Sequence, residues 1–138
     1  MTNEEKQLLL KDLCARLPYS VRVKELEPIK ELELYLTSIY HDTVQVETMT
    51  GGIMACSIEA IRPYLRPLES MTEKETYIFR QDILNDVEAR CIHSFGCGKY
   101  SLAFTEANDW LNEHHFDYRD LISMGLALEA PEGMYKTE

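Results

Sequence analysis

The apolar positions of this chain change period once, and the change divides the sequence. From residue 19 to residue 60 they alternate with a period of two; on either side they recur every three to four. At the amino terminus, residues 3–16 predict an amphipathic helix. Leu9, Leu10, Leu13 and Cys14 share one stripe, opposite Glu4, Lys11 and Arg16, with Thr2 or Asn3 as the cap and Leu17-Pro18 as the stop. Val21 and Val23 then alternate with Arg22 and Lys24, and Glu27-Pro28 interrupts. Leu32, Leu34 and Leu36 alternate with Glu31, Glu33 and Tyr35 in the clearest strand. His41-Asp42 predicts a turn, Val44 and Val46 point inward from the next strand, and Thr50-Gly51-Gly52 predicts the turn into a strand over Ile53 to Ile58.

Pro63 and Pro67 lack amide donors and push their preceding residues out of helical geometry. Residues 61–72 therefore read as a docked hinge, held by Tyr64, Leu65 and Leu68 and preceded by a brief helical turn at Glu59 to Tyr64. Thr72 with Glu75 three residues on is a capping box. It opens a long helix to about His93, with Phe79, Ile83, Leu84, Val87 and Cys91 on its buried stripe. A second helix, capped by Ser101 or Thr105, turns Phe104, Ala107 and Leu111 to the core with Trp110 beside them. A third, Tyr118 to Met124, is capped by Asp117 and stopped by Gly125, with Leu126 as the apolar partner of that stop. An extended tail follows, with a turn at Pro131-Glu132-Gly133. The expected fold is a single α+β domain over 1–138. It has an N-terminal helix (1–18), a β half (19–60) forming a small antiparallel barrel-like sheet, the proline hinge (61–72) and a helical half (73–138) of three helices. By analogy of shape alone the sheet is like a Src-homology-3 barrel.

Charge narrows the function classes. The 138 residues carry a formal net charge of −10; residues 1–70 hold 8 basic and 11 acidic side chains, and residues 71–138 hold 6 and 13. The balances are −3 and −7. Nucleic-acid binding draws on Lys and Arg neutralising phosphates, so free nucleic acid is an unfavourable partner. Arg62 and Arg66 mark the one place where a local basic patch could arise. No run is apolar enough to span a bilayer, and MTNEEKQLLLKDL is acidic and amphipathic, unlike a secretion signal. The expected location is the cytoplasm, away from membranes, where Cys14, Cys56, Cys91 and Cys97 stay free thiols.

Two segments gather reactive side chains. CIHSFGC brings Cys91, His93 and Cys97 together, and Cys56, His114 or His115 could complete four zinc ligands. A paired Cys-x-x-Cys is missing, and Cys91 falls on an apolar stripe, so buried thiols explain it better. HHFDYRD collects His114, His115, Asp117, Tyr118, Arg119 and Asp120. Acid–base chemistry there needs a second cluster opposite, whereas helix ends and caps account for every residue. Gly51-Gly52 and Gly96/Gly98 lack a strand–loop–helix context, so no cofactor motif is present. Eight tyrosines, among them Tyr35, Tyr40, Tyr64, Tyr77, Tyr118 and Tyr135, suit protein contacts.

RPYLRPLESMT (Arg62–Thr72) and WLNEHHFDYRDLISMGLALEAPEGMY (Trp110–Tyr135) resemble a family of uncharacterised small proteins from prophages and other mobile elements of the Bacteroidota. The first helix running into LPYSVRV fits the same pattern. The resemblance implies an origin and a compartment, and no catalytic residues. The leading expectation is a non-enzymatic protein-interaction module of phage or mobile-element origin. Its surface would include Tyr35, Tyr64, Arg62, Arg66, Trp110, Tyr118 and Arg119. The alternatives are nucleic-acid association through the small barrel, and a small enzyme using 114–120.

Overall fold

The computed structural model describes residues 1–28, 30–84 and 99–135, with the side chains of 84 and 99–104 left aside. Helix α1 (Asn3–Arg16) has the expected bounds. Thr2 caps it, its hydroxyl accepting from the Glu5 amide while Glu5 accepts from the Thr2 amide. Strands β1 (Arg22–Glu25), β2 (Leu34–Tyr40), β3 (Thr43–Thr48) and β4 (Ile53–Ser57) follow the period-two pattern, although Leu32 lies outside β2 and is exposed. Left-handed backbone at His41 and Gly51 makes the two tight turns.

The expected proline hinge contains a strand: Ile61–Leu65 is strand β5 and sits inside the sheet, preceded by a 3-10 turn at Ile58–Ala60 that is shorter and earlier than the helical turn expected at Glu59 to Tyr64. The sheet order is β4-β3-β2-β1-β5-β6, where β6 is Leu128–Glu129 in the tail, parallel to β5. Pro63 is tolerated because it faces Val23. Leu26 donates to the Ala60 carbonyl, so hydrogen-bonded pairs fall at 26/60 and 24/62, and 23/63 is a pair that makes no ladder bonds. The missing donor costs nothing on that side. The sheet is open, with β4 and β6 as its edges, so the expected barrel closure is not found among the described residues.

One face of the sheet carries the core. Leu34, Leu36, Val44, Val46, Ile61 and Leu65 pack with Leu9 and Leu13 of α1 and with Leu121 and Leu126 from the carboxy-terminal segment. Truncating a fully buried leucine such as Leu9 to alanine is expected to cost about 2–5 kcal/mol. The buried stripe of α1 is Leu9, Asp12, Leu13 and Arg16, so Arg16 is inside and Cys14 outside, the reverse of the sequence expectation.

After a 3-10 turn at Leu68–Ser70, Thr72 and Glu75 form the expected capping box at the start of α2 (Glu73–Ile78). The helix then widens to a π-type stretch, Phe79–Leu84. Its expected continuation through Val87 and Cys91 lies outside the described residues. Helix α3 (Lys99–Glu113) begins before Ser101 and Thr105, so neither is its cap. Ala107 and Leu111 are buried as expected. No helix forms over 118–124. The Asp117 carboxylate accepts from the Leu121 and Ile122 amides, and Leu126 N–H to Leu121 O with Gly125 N–H to Ile122 O closes the turn as a Schellman motif. Both helix signals are real, but they lie too close together for more than one turn.

Candidate functional site

The arginines expected at an interaction surface are tied to groups within the chain, Arg66 buried and Arg62 and Arg119 half-buried. Arg66 pairs with Glu75 at 2.6 and 2.8 Å and lies 4.2 Å over the Phe116 ring, with 8% of its surface exposed. Arg62 donates to the carbonyls of Gly125, Glu59 and Ile61. Arg119 donates to Asp12, and its guanidinium rests on Tyr118. Arg16, missed by sequence reading, is fully buried. It donates to Asp12 through Nε at 2.8 Å and to the Phe116 carbonyl at 2.7 Å. Sequence reading placed Arg16 opposite the apolar stripe because charged side chains are rarely buried unless paired, and the Phe116 carbonyl it meets is 100 residues away. The basic patch foreseen at Arg62 and Arg66 is therefore neutralised or spent on main-chain oxygens.

The aromatic candidates divide in the same way. Trp110 stacks on His114 at 4.1 Å and lies 5.0 Å from Phe79 and 6.0 Å from Phe116. Tyr118 donates to Asn112. The Tyr135 hydroxyl donates to the Tyr64 carbonyl and accepts from the Arg22 amide, both at 2.8 Å. The next ladder pair after 24/62 would be 22/64, so this hydroxyl stands where a direct strand–strand hydrogen bond would run. Burial pushes the Tyr135 hydroxyl pKa well above its ordinary 10. Tyr35 is half-buried on the solvent face of the sheet, in register with Arg22 and Glu47. Tyr40 and Tyr77 are exposed.

Among the described residues, the His-rich segment shows no catalytic pairing. His114 Nδ1 lies 2.9 Å from the Trp110 carbonyl, and the His115 ring stacks on Tyr135 at 3.7 Å. Burial first, then the charges of Arg16, His114 and Arg66, lower His115 from 6.5 to about 4. A groove of about 490 Å³ touches both histidines but not Asp117, whose carboxylate is committed to amides. Neither ring has a nucleophile or an orienting carboxylate within hydrogen-bond reach among the contacts described. A second groove of about 330 Å³ is lined by Arg22, Lys24 and Lys30 against Glu25, Glu31 and Glu33, so its charges cancel. Among the described residues no group of three or more His, Cys, Asp or Glu side chains could hold a metal. Cys91, His93 and Cys97 lie outside the described residues. Cys14 and Cys56 are free, the Cys56 thiol raised by burial and by Glu25.

Among the described residues, what remains open is the edge of β4. Thr48 donates to the Gly52 carbonyl and Ile58 to the Asp42 carbonyl, and the β3–β4 register runs without a shift between them. Hydrogen-bonded pairs therefore fall at 46/54 and 44/56, turning the main-chain groups of Met54 and Cys56 toward β3. The N–H and C=O groups of Ile53, Ala55 and Ser57 point away from the sheet, where no described strand pairs with them. IMACS has no charge and no proline, the usual devices that blunt an edge. Ile53 is 62% exposed and neighbouring Met49 64%. Glu47 faces Ile53 across the ladder, and Asp42 and Glu59 stand at the other end, where Lys6 reaches them at 3.2 and 3.8 Å. Sequence reading found this strand but not its place at the edge.

No protein-family model, curated protein or solved structure matches the chain. No helix of the described residues is long and apolar enough to cross a membrane.

Proposed function

We propose that this chain is a non-enzymatic protein-binding module of phage or mobile-element origin that works in the cytoplasm. The observation carrying the reading is the edge of β4, uncharged and unpaired among the described residues, with an exposed isoleucine and methionine beside it. Such an edge is a template for another chain. The resemblance of Arg62–Thr72 and Trp110–Tyr135 to mobile-element proteins supports the origin and the compartment.

Nucleic-acid association loses its main support once Arg16, Arg62, Arg66 and Arg119 are committed internally, because the chain still carries −10. The reading is tested by titrating the protein against double- and single-stranded DNA and RNA over a salt series. No binding is expected near physiological salt. Sub-micromolar binding that weakens steeply as salt rises would contradict it.

A further inference from the structure

We infer that the edge of β4, unpaired among the described residues, accepts by strand addition an extended segment of a partner protein in which a basic residue lies two positions from a large apolar one. The inference rests on the protein-binding reading and names the chemistry of the partner. The outward N–H and C=O groups of Ile53, Ala55 and Ser57 supply the main-chain half of such a site.

Side chains supply the selectivity. Ile53, Ala55 and Ser57 share one sheet face, with Glu47 on the same face one strand inward. Ala55, the smallest side chain of the strand, is exposed between Ile53 and Ser57, so a large apolar residue fits opposite it. Two positions from that residue, beside Ile53, the added strand passes Glu47 on the same face, which favours a basic residue there. At the other end Asp42 is opposite Ile58 on the buried face, Lys6 reaches both Asp42 and Glu59, and the charge of Arg62 lies near Glu59, so that end sets no preference. IMACS has no basic residue, so a second copy of this chain does not meet the pattern. The pattern sought is apolar–x–basic, and a peptide with a lysine two positions from its central valine on each side presents it in either direction.

The test uses the full chain labelled with nitrogen-15 and two capped peptides that alternate Lys, Thr and Val, one with lysines at both outer positions and one with glutamates there. The lysine peptide is expected to shift and protect the amides of Ile53, Ala55 and Ser57, which lack ladder partners. Met54 and Cys56, already bonded to β3, should change little. The glutamate peptide should bind about tenfold or more weakly. Ala55→Lys should weaken the lysine peptide by a similar factor while Met54 and Cys56 keep slow exchange, which confirms the fold. Glu47→Lys should narrow the difference between the two peptides. Equal binding of both, shifts mapping elsewhere, or no binding at millimolar concentration would overturn the inference. So would concentration-dependent protection of these amides without peptide, which would make a second copy the occupant. Failure of this test alone leaves the protein-binding reading intact; that reading fails if photocross-linking from the same edge captures no protein.

Discussion

Arg66 at the end of the fifth strand and Glu75 in the first turn of the second helix form a two-point ion pair, at 2.6 and 2.8 Å, with both side chains nearly buried. Glu75 also accepts from the Thr72 amide, so one carboxylate completes a helix cap and fixes the following helix to the sheet. Arg66 in turn lies on Phe116, and its main chain exchanges hydrogen bonds with His115 and Asp117. Three regions distant in sequence meet at this pair.

Glu75→Gln should therefore destabilise the fold by about 3–5 kcal/mol, because it leaves a buried guanidinium without its counter-charge. The acid response carries the same signature. Burial alone would raise the carboxyl, but hydrogen bonds from Arg66 and Thr72 and the Arg66 charge bring it from 4.5 to about 2. A carboxyl depressed in the fold stabilises above its ordinary value, and that stability is lost as pH falls from 4.5 toward 2. Urea unfolding at a series of pH values should show a steep loss over that window in the native chain and a shallower one in Glu75→Gln. Equal slopes would show that the pair does not set the acid response.

Tyr135→Phe removes a hydroxyl and little else. It leaves the Arg22 amide and the Tyr64 carbonyl without the partner that bridges them, so a loss of about 1–3 kcal/mol is expected. Tyr40→Phe is the control: that ring is 75% exposed, and the change should stay within about 0.5 kcal/mol. Equal midpoints for the two variants in urea would mean that the hydroxyl is dispensable to the sheet.

Much of the local structure was legible because it depends on neighbours in sequence. Thr2 (read as a cap alongside Asn3), Thr72 with Glu75, and Gly125 with Leu126 declare caps and stops within a few residues, and all three are present. What depends on distant partners was not legible. Arg16 is buried because Phe116, 100 residues away, offers its carbonyl. Pro63 was read as excluding a central strand, yet its register against Val23 makes the missing amide harmless. Leu128–Glu129 carries no strand pattern of its own and is a strand only because β5 lies beside it. The candidate site follows the same rule. IMACS reads as a strand, but only the order of the sheet reveals that one side of it is unpaired among the described residues.

The most direct measurement places a photoreactive phenylalanine analogue at Ala55 in cells carrying the chain at its native level, with the same group at exposed Lys11 on the first helix as the control. The account expects a discrete protein adduct from position 55 that is absent from position 11. No adduct from position 55, equal adducts from both positions, or an adduct removed by nuclease would contradict it.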